Sequence, residues 1–149
     1  MKPAPAQNHV RCNDPPPPPT PNNTHTLHRQ GSAAAHAAFE RKAAAIIVIS
    51  LSGRSAAAVA KYRPHVPVLC LVGDEKTARS LQLTRGVHTI LVKEDELSGK
   101  KDHVPTMRKL AMKFVKDWGL AREGDRVVLL HGHGDDMREG VAVTIAPVT

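Results

Sequence analysis

Short apolar runs alternate with amphipathic segments along most of the chain. Continuous apolar runs are typical of strands buried on both faces, and they occupy 44–49, 66–72 and 127–130. Segment 87–92, of alternating or continuous apolar character, predicts a further strand, and 141–148 predicts a closing strand. Alanine-rich stretches and apolar positions spaced by three and four predict helices over 32–42, 56–62, 75–83 and 104–120. This alternation predicts an α/β fold: a three-layer domain with a mostly parallel five-stranded sheet whose last strand is antiparallel.

Capping residues mark the ends of these helices. Ser32 and Asp74 stand where N-caps are expected, and Gly119 stands where a C-cap is expected. The polar segment 93–103 is predicted to be a surface loop.

Residues 1–30 differ in composition from the rest. They hold most of the prolines, including the run from Pro15 to Pro19, and almost nothing that could be buried. The sequence therefore predicts a disordered proline-rich tail over 1–30 and one domain over 31–149, with order beginning near Gly31. The tail is interpreted as a solvated extension; docking of its polyproline run on aromatic-lined modules is the alternative.

The amino-acid composition limits the classes of binding partner that we expect. Aromatic residues are only 3% of the 149 residues, so the core must be aliphatic, and the net charge of +7 favours anionic partners. The basic residues form no tight run with interleaved aromatics, which argues against nucleic acid. No apolar stretch approaches the roughly 20 residues of a membrane-spanning helix. We therefore expect a soluble protein that binds neither nucleic acid nor membrane.

The two cysteines, Cys12 and Cys70, support neither a disulfide framework nor a cysteine zinc site. Cys70 lies inside a strand run and is predicted to belong to the core. The first residues lack the apolar centre of a secretory signal. A reducing compartment is expected, and the cytoplasm is the predicted location, with a plastid or another organelle as the alternative.

The loop after the first strand is the best candidate for binding chemistry. Ser50, Ser52 and Ser55 offer hydroxyls, Gly53 allows close approach of the backbone, and Arg54 supplies a cation. Ligands of open α/β sheets bind at the carboxyl ends of strands, where the free amides of a helix N-terminus attract anions. The residues alone leave two interpretations open: an anion site, or a turn in which Ser52 only caps the helix.

The glycine-rich loop 131–140 contains His131, His133, Asp135 and Asp136. A His-x-His pair beside adjacent carboxylates lacks a third ligand on a neighbouring element, so a solvated loop is favoured over a metal site. No nucleophile with a supporting base can be named either. Trp118 is interpreted as a packing residue.

Several segments match one family in order and spacing. They are Ala44-Ala45-Ile46-Ile47-Val48, Ser52-Gly53-Arg54-Ser55-Ala56, Lys61-Tyr62-Arg63-Pro64 and Thr84-Arg85-Gly86-Val87. Through them residues 31–149 resemble the carboxy-terminal domain of pyruvate kinase. The resemblance implies a domain that helps to form a tetramer, and that in many members binds a sugar-phosphate effector such as fructose 1,6-bisphosphate.

By this resemblance the phosphate-binding residues are Ser50, Ser52, Gly53, Arg54 and Ser55. Leu51 stands where some effector-responsive members carry lysine, and Met107 stands at the position of an effector-binding arginine. The acid pair Asp135 and Asp136, which the family segment lacks, would repel a second phosphate. A monophosphate, another anion and no effector are therefore the alternatives to fructose 1,6-bisphosphate.

The resemblance also implies what this chain lacks. Pyruvate kinases transfer phosphate from phosphoenolpyruvate to ADP on a barrel domain that binds magnesium and potassium, and no barrel segment is recognisable in these 149 residues. We expect no cofactor and no kinase activity in this chain alone, and a role in a homo-oligomer or beside full-length pyruvate kinase. The alternatives are a fragment of an active pyruvate kinase, and an interaction module that acts through its tail.

Overall fold

A computed structural model describes residues 23–50, 52–92, 103–132 and 141–149. These residues form four helices and five strands. In chain order they are α1 (Asn23–Glu40), β1 (Ala45–Ile49), α2 (Arg54–Lys61), β2 (Val68–Val72), α3 (Glu75–Gln82), β3 (Val87–Leu91), α4 (His103–Asp117), β4 (Arg126–Gly132) and β5 (Val141–Pro147).

The strands form one sheet in the order β3-β2-β1-β4-β5. The first three neighbouring pairs are parallel, and only β4 and β5 pair antiparallel. Central strand β1 is therefore hydrogen-bonded on both edges, and its last residue, Ile49, is in register with Leu71 of β2 and His131 of β4. The predicted α/β fold and the antiparallel last strand are confirmed.

Two apolar cores lie on opposite faces of the sheet. Because side chains alternate along a strand, Ile47 and Ile49 belong to the core beneath α4, while Ile46 and Val48 belong to the core shared with α1, α2 and α3. All five β1 side chains are buried. Burial on both faces explains why β1 is continuously apolar rather than alternating.

Helix α1 begins earlier than predicted. The sequence places its start at Ser32, but the helix begins at Asn23, so Gly31 lies within it rather than at the onset of order. The predicted start rested on the composition of residues 1–30 and on the capping preference of Ser32, whereas packing of α1 against α2, with Gly31 against Ala58, extends the helix past that point. Residues 23–30 of the predicted tail are thus helical, whereas residues 1–22 lie outside the described residues.

The other predicted boundaries shift by a few residues. Gly119 follows α4 with a φ of +67°, as a C-cap glycine should, and Asp74 caps α3 by accepting a hydrogen bond from the Thr77 N–H at 3.0 Å. Of the predicted loop 93–103, residues 93–102 lie outside the described residues, and His103 is the first residue of α4 rather than part of a loop. Within the described parts of the chain, no helix has the length and apolarity needed to cross a bilayer.

Candidate functional site

The loop between β1 and α2 lies at the carboxyl edge of the parallel sheet. Ser50 follows the last residue of β1 directly, and α2 begins at Arg54. The predicted anion-binding residues therefore all lie between a buried strand and the first turn of a helix. Leu51 lies outside the described residues.

Ser50 fixes the start of this loop. Its side chain is 8% exposed, and its Oγ accepts a hydrogen bond from the Gly53 N–H at 3.1 Å. Its own N–H donates to the Leu71 carbonyl oxygen of β2 at 3.2 Å. The hydroxyl of Ser50 is thus used within the loop, where it holds Gly53 in place.

Gly53 is the N-cap residue of α2 and takes a left-handed backbone conformation, with φ at +71°. A Cβ at this position would lie 2.7 Å from Leu81 Cδ1 and 3.0 Å from Thr77 Cγ2. Only glycine therefore allows the loop to rest against α3. The packing of α3 under Gly53 is a feature that the sequence pattern does not reveal, since the residues involved are more than twenty positions apart.

The simpler alternative from sequence, in which Ser52 caps α2, is wrong. The N-cap is Gly53, which makes no side-chain cap bond, and Ser52 is exposed. Among the described residues, no side-chain cap therefore accepts a hydrogen bond from the first amides of α2.

The first turn of α2 presents the groups that an anion requires. The intrahelical ladder begins with the Ala57 N–H, which donates to the Gly53 carbonyl oxygen at 3.1 Å, so the amides of Arg54, Ser55 and Ala56 have no acceptor within the helix. Arg54 is exposed and Ser55 is half-buried, whereas Ala56 is fully buried, so the amides of Arg54 and Ser55 are the ones that a ligand can reach. Segment 50–56 contains no acidic residue. The positive end of the helix dipole adds to the charge of Arg54.

Of the second candidate loop, 131–140, the structure describes His131 and Gly132, which form the end of β4. His131 is half-buried and in register with Ile49. His133, Asp135 and Asp136 lie outside the described residues. Among the residues that the structure describes, no cluster of three or more histidine, cysteine or acidic side chains has the geometry to hold a metal ion.

Met107 lies within α4, and Trp118 directly follows its last residue. Met107 is 2% exposed and belongs to the core beneath that helix, so this position presents no group to an anion. The Trp118 ring is half-exposed and meets Phe114 and His88 edge to face, at centroid distances of 5.9 and 6.2 Å. These contacts agree with a packing role for Trp118.

Comparison with known proteins agrees with this architecture. The family model described as pyruvate kinase, alpha/beta domain matches residues 30–142. The chain is 37% identical over 103 residues to pyruvate kinase of Leishmania mexicana, which covers 67% of this chain and 20% of that protein. It is 37% identical over 95 residues to pyruvate kinase 1 of Trypanosoma brucei brucei, which covers 64% of this chain and 19% of that protein.

A fungal relative gives the same result. Pyruvate kinase 1 of Saccharomyces cerevisiae is 34% identical over 96 residues, which covers 64% of this chain and 19% of that protein. The chain thus spans about a fifth of the length of the curated relatives it matches. Its fold, the order of its motifs and these matches show that the chain belongs to the pyruvate kinase α/β domain family.

Proposed function

We propose that this chain acts as the C-terminal domain of a pyruvate kinase, in oligomerisation and in binding a small anion at the loop 50–55. The observation that carries the anion site is the first turn of α2, where the amides of the exposed Arg54 and the half-buried Ser55 have no intrahelical acceptors. The class of ligand is a phosphate ester, such as a sugar-phosphate effector.

The loop supports binding of one phosphate group. The amides of Arg54 and Ser55 would donate to its oxygens, the guanidinium would pair with its charge, and the hydroxyls of Ser52 and Ser55 would complete the shell. Ser50 and Gly53 act indirectly, because their mutual hydrogen bond sets the direction of the turn. With Leu51 in place of a second cation, we favour a monophosphate over fructose 1,6-bisphosphate at this loop.

An NMR titration of the full chain with fructose 6-phosphate tests the site. We expect saturable shifts of the amides of residues 52–56, and about tenfold weaker binding after Arg54→Gln, since a charge-assisted hydrogen bond is lost. Arg41→Gln is the matched control, because Arg41 is exposed after the end of α1 and lies outside the loop. Unchanged amides at 52–56, or equal weakening by both variants, would refute the site.

Oligomerisation is the second part of the proposal. This part rests on the membership of the chain in the family. The proposed partner is either a further copy of this chain or full-length pyruvate kinase. Light scattering after size exclusion, with the chain alone and with purified full-length pyruvate kinase, measures it directly. A monomer that also fails to comigrate with the full-length enzyme would contradict it. We place this function in the cytoplasm, which a fluorescent fusion would check.

The alternative function is that of a fragment of an active glycolytic pyruvate kinase, converting phosphoenolpyruvate and ADP to pyruvate and ATP. The observation that favours it is the length of the match, about a fifth of each relative. In that case magnesium and potassium would bind to a catalytic barrel outside this sequence. An assay of the chain alone with both ions should show no pyruvate, and a full-length transcript that encodes a barrel in frame would decide for the fragment.

A further inference from the structure

A basic cavity lies at the opposite end of α2 from the loop 50–55. It has a volume of about 530 Å³, within the range of small-molecule sites. Its walls come from three segments: the last turns of α2, the turn that leads to β2, and the connection before β3. The residues that matter for its chemistry are Ala60, Lys61, Arg63, Val66, Thr84 and Arg85.

Three basic residues line this cavity, and its described lining contains no carboxylate. They are Lys61, Arg63 and Arg85. Within the described residues the ion pairs are His36 with Glu40 and Arg79 with Glu75, so none of the three cations is in one. A cation at a helix C-terminus is explained by the helix dipole, which accounts for Lys61. Arg85 comes from a different segment, and the dipole of α2 does not explain its presence here.

The backbone of Arg63 fixes where this residue leaves α2. It has a φ of +47°, in the left-handed region where glycine is usual after a helix, and its N–H donates to the Ala60 carbonyl oxygen at 3.0 Å. A side chain in this conformation is strained. Lys42 has the same conformation and does not line the cavity, so the strain by itself assigns no role to the Arg63 guanidinium. The conformation places Arg63 just after α2, where this residue lines the cavity.

We propose that this cavity binds a phosphate monoester, at a site distinct from the loop 50–55. A phosphate monoester carries close to two negative charges at neutral pH, which suits a pocket with three cations. The planar forks of Arg63 and Arg85 match phosphate oxygens, and the Thr84 hydroxyl can donate to them. Ala60 and Val66 leave an apolar wall for the carbon part of the ester.

The two sites are separated by the length of α2. Its eight residues span about 12 Å at 1.5 Å per residue. Binding at each end therefore perturbs a different set of amides. Neither site depends on the other, so the cavity proposal and the proposed function succeed or fail separately.

The test is an NMR titration of the full chain with glycerol 3-phosphate, with glycerol as the uncharged reference. We expect saturable shifts of the amides of residues 61–63, 65–66 and 84–86 with the phosphate ester and none with glycerol. Arg63→Gly should weaken binding about tenfold or more, since it removes a charge-assisted hydrogen bond. The same substitution relieves the left-handed backbone, so the melting temperature should not fall.

Lys42→Gly is the matched control. Lys42 is also a cation in the left-handed region after a helix, with φ at +50°, but it does not line the cavity. Its substitution removes the same charge and the same strain, and should leave binding unchanged. Arg63→Asn and Arg85→Gln provide further variants that should weaken binding if Arg63→Gly does not fold. Shifts confined to residues 52–56, no saturation, or equal weakening by Lys42→Gly and Arg63→Gly would overturn the proposal.

Discussion

Gly31 of α1 lies directly against the backbone of Ala58 in α2. A Cβ on Gly31 would lie 2.8 Å from both the carbonyl carbon and the carbonyl oxygen of Ala58. Real Cβ atoms do not approach backbone atoms this closely, and backbone within a helix cannot move aside as a flexible side chain can. The two helices are therefore held at a distance that only glycine allows.

Gly31→Ala should destabilise the protein, although the same substitution in an ordinary helix interior is stabilising. The clash with Ala58 outweighs the gain in helix propensity, and we expect a loss of about 1–3 kcal/mol in the free energy of unfolding. Ser32→Ala, on the exposed neighbouring position of α1, is the control and should be neutral or slightly stabilising. Urea denaturation followed by circular dichroism measures both. A Gly31→Ala chain at least as stable as Ser32→Ala would contradict the contact.

Gly31 also shows why the start of α1 could not be predicted from the sequence. The polar, proline-rich stretch before Gly31 and the capping preference of Ser32 placed the start of the helix nine residues too late, because the contact that keeps Gly31 helical comes from α2. The strands were predictable, since residues such as Ile46 and Ile47 must be buried whichever face they occupy. The Asp74 cap was predictable as well, because its partner Thr77 lies three residues away.

Ser50→Ala should lower the stability of the protein by removing a hydrogen bond in the loop that precedes α2. The substitution leaves the Gly53 N–H without its acceptor in a buried position, which costs about 1–3 kcal/mol. Ser52→Ala, two residues further on and exposed, is the matched control and should change stability by less than about 0.5 kcal/mol. Equal effects of the two substitutions on the urea midpoint would contradict the role of Ser50.

The candidate site was only partly predictable, because some of its contacts come from segments that are distant in the sequence. Serines, a glycine and an arginine after a buried strand indicate an anion site, and the structure brings these residues to the carboxyl edge of the sheet. The role of each residue in the loop depends on contacts with residues outside the motif. Gly53 is required because Leu81 lies under it, and Ser50 holds Gly53 rather than facing outward. Neither contact leaves a periodic signal in the sequence.

Asp74 should make the stability of α3 depend on pH. The backbone N–H of Thr77, followed by its hydroxyl, donates to the carboxylate and lowers the pKa of Asp74 below its ordinary value of 3.8. Because the pKa is lower in the folded state, the ionised form stabilises the fold above pH 3.8, and this contribution is lost as the pH falls through the lowered pKa.

Asp74→Asn isolates this effect. Asparagine caps helices about as well as aspartate but does not titrate, so the wild-type chain should lose stability relative to Asp74→Asn as the pH falls from about 6 to about 3. Asp74→Ala should be less stable than both at pH 6, since it removes the cap. The urea midpoints of the three chains at a series of pH values measure this. A constant difference between wild type and Asp74→Asn over that range would show that the carboxylate charge is not involved.

Cys70 should be unreactive in the folded protein. It is fully buried in β2, and burial raises the pKa of its thiol to about 12. At pH 8 the thiolate fraction is then roughly a thousandfold smaller than for an ordinary cysteine, and the reagent has no access to the sulfur. In a Cys12→Ser chain, which leaves Cys70 as the single thiol, Ellman's reagent should react only as fast as the domain opens. The same chain in guanidinium provides the control and should react at the rate of a free peptide. Reaction at that rate without denaturant would mean that the sheet opens at β2 far more readily than its two cores predict.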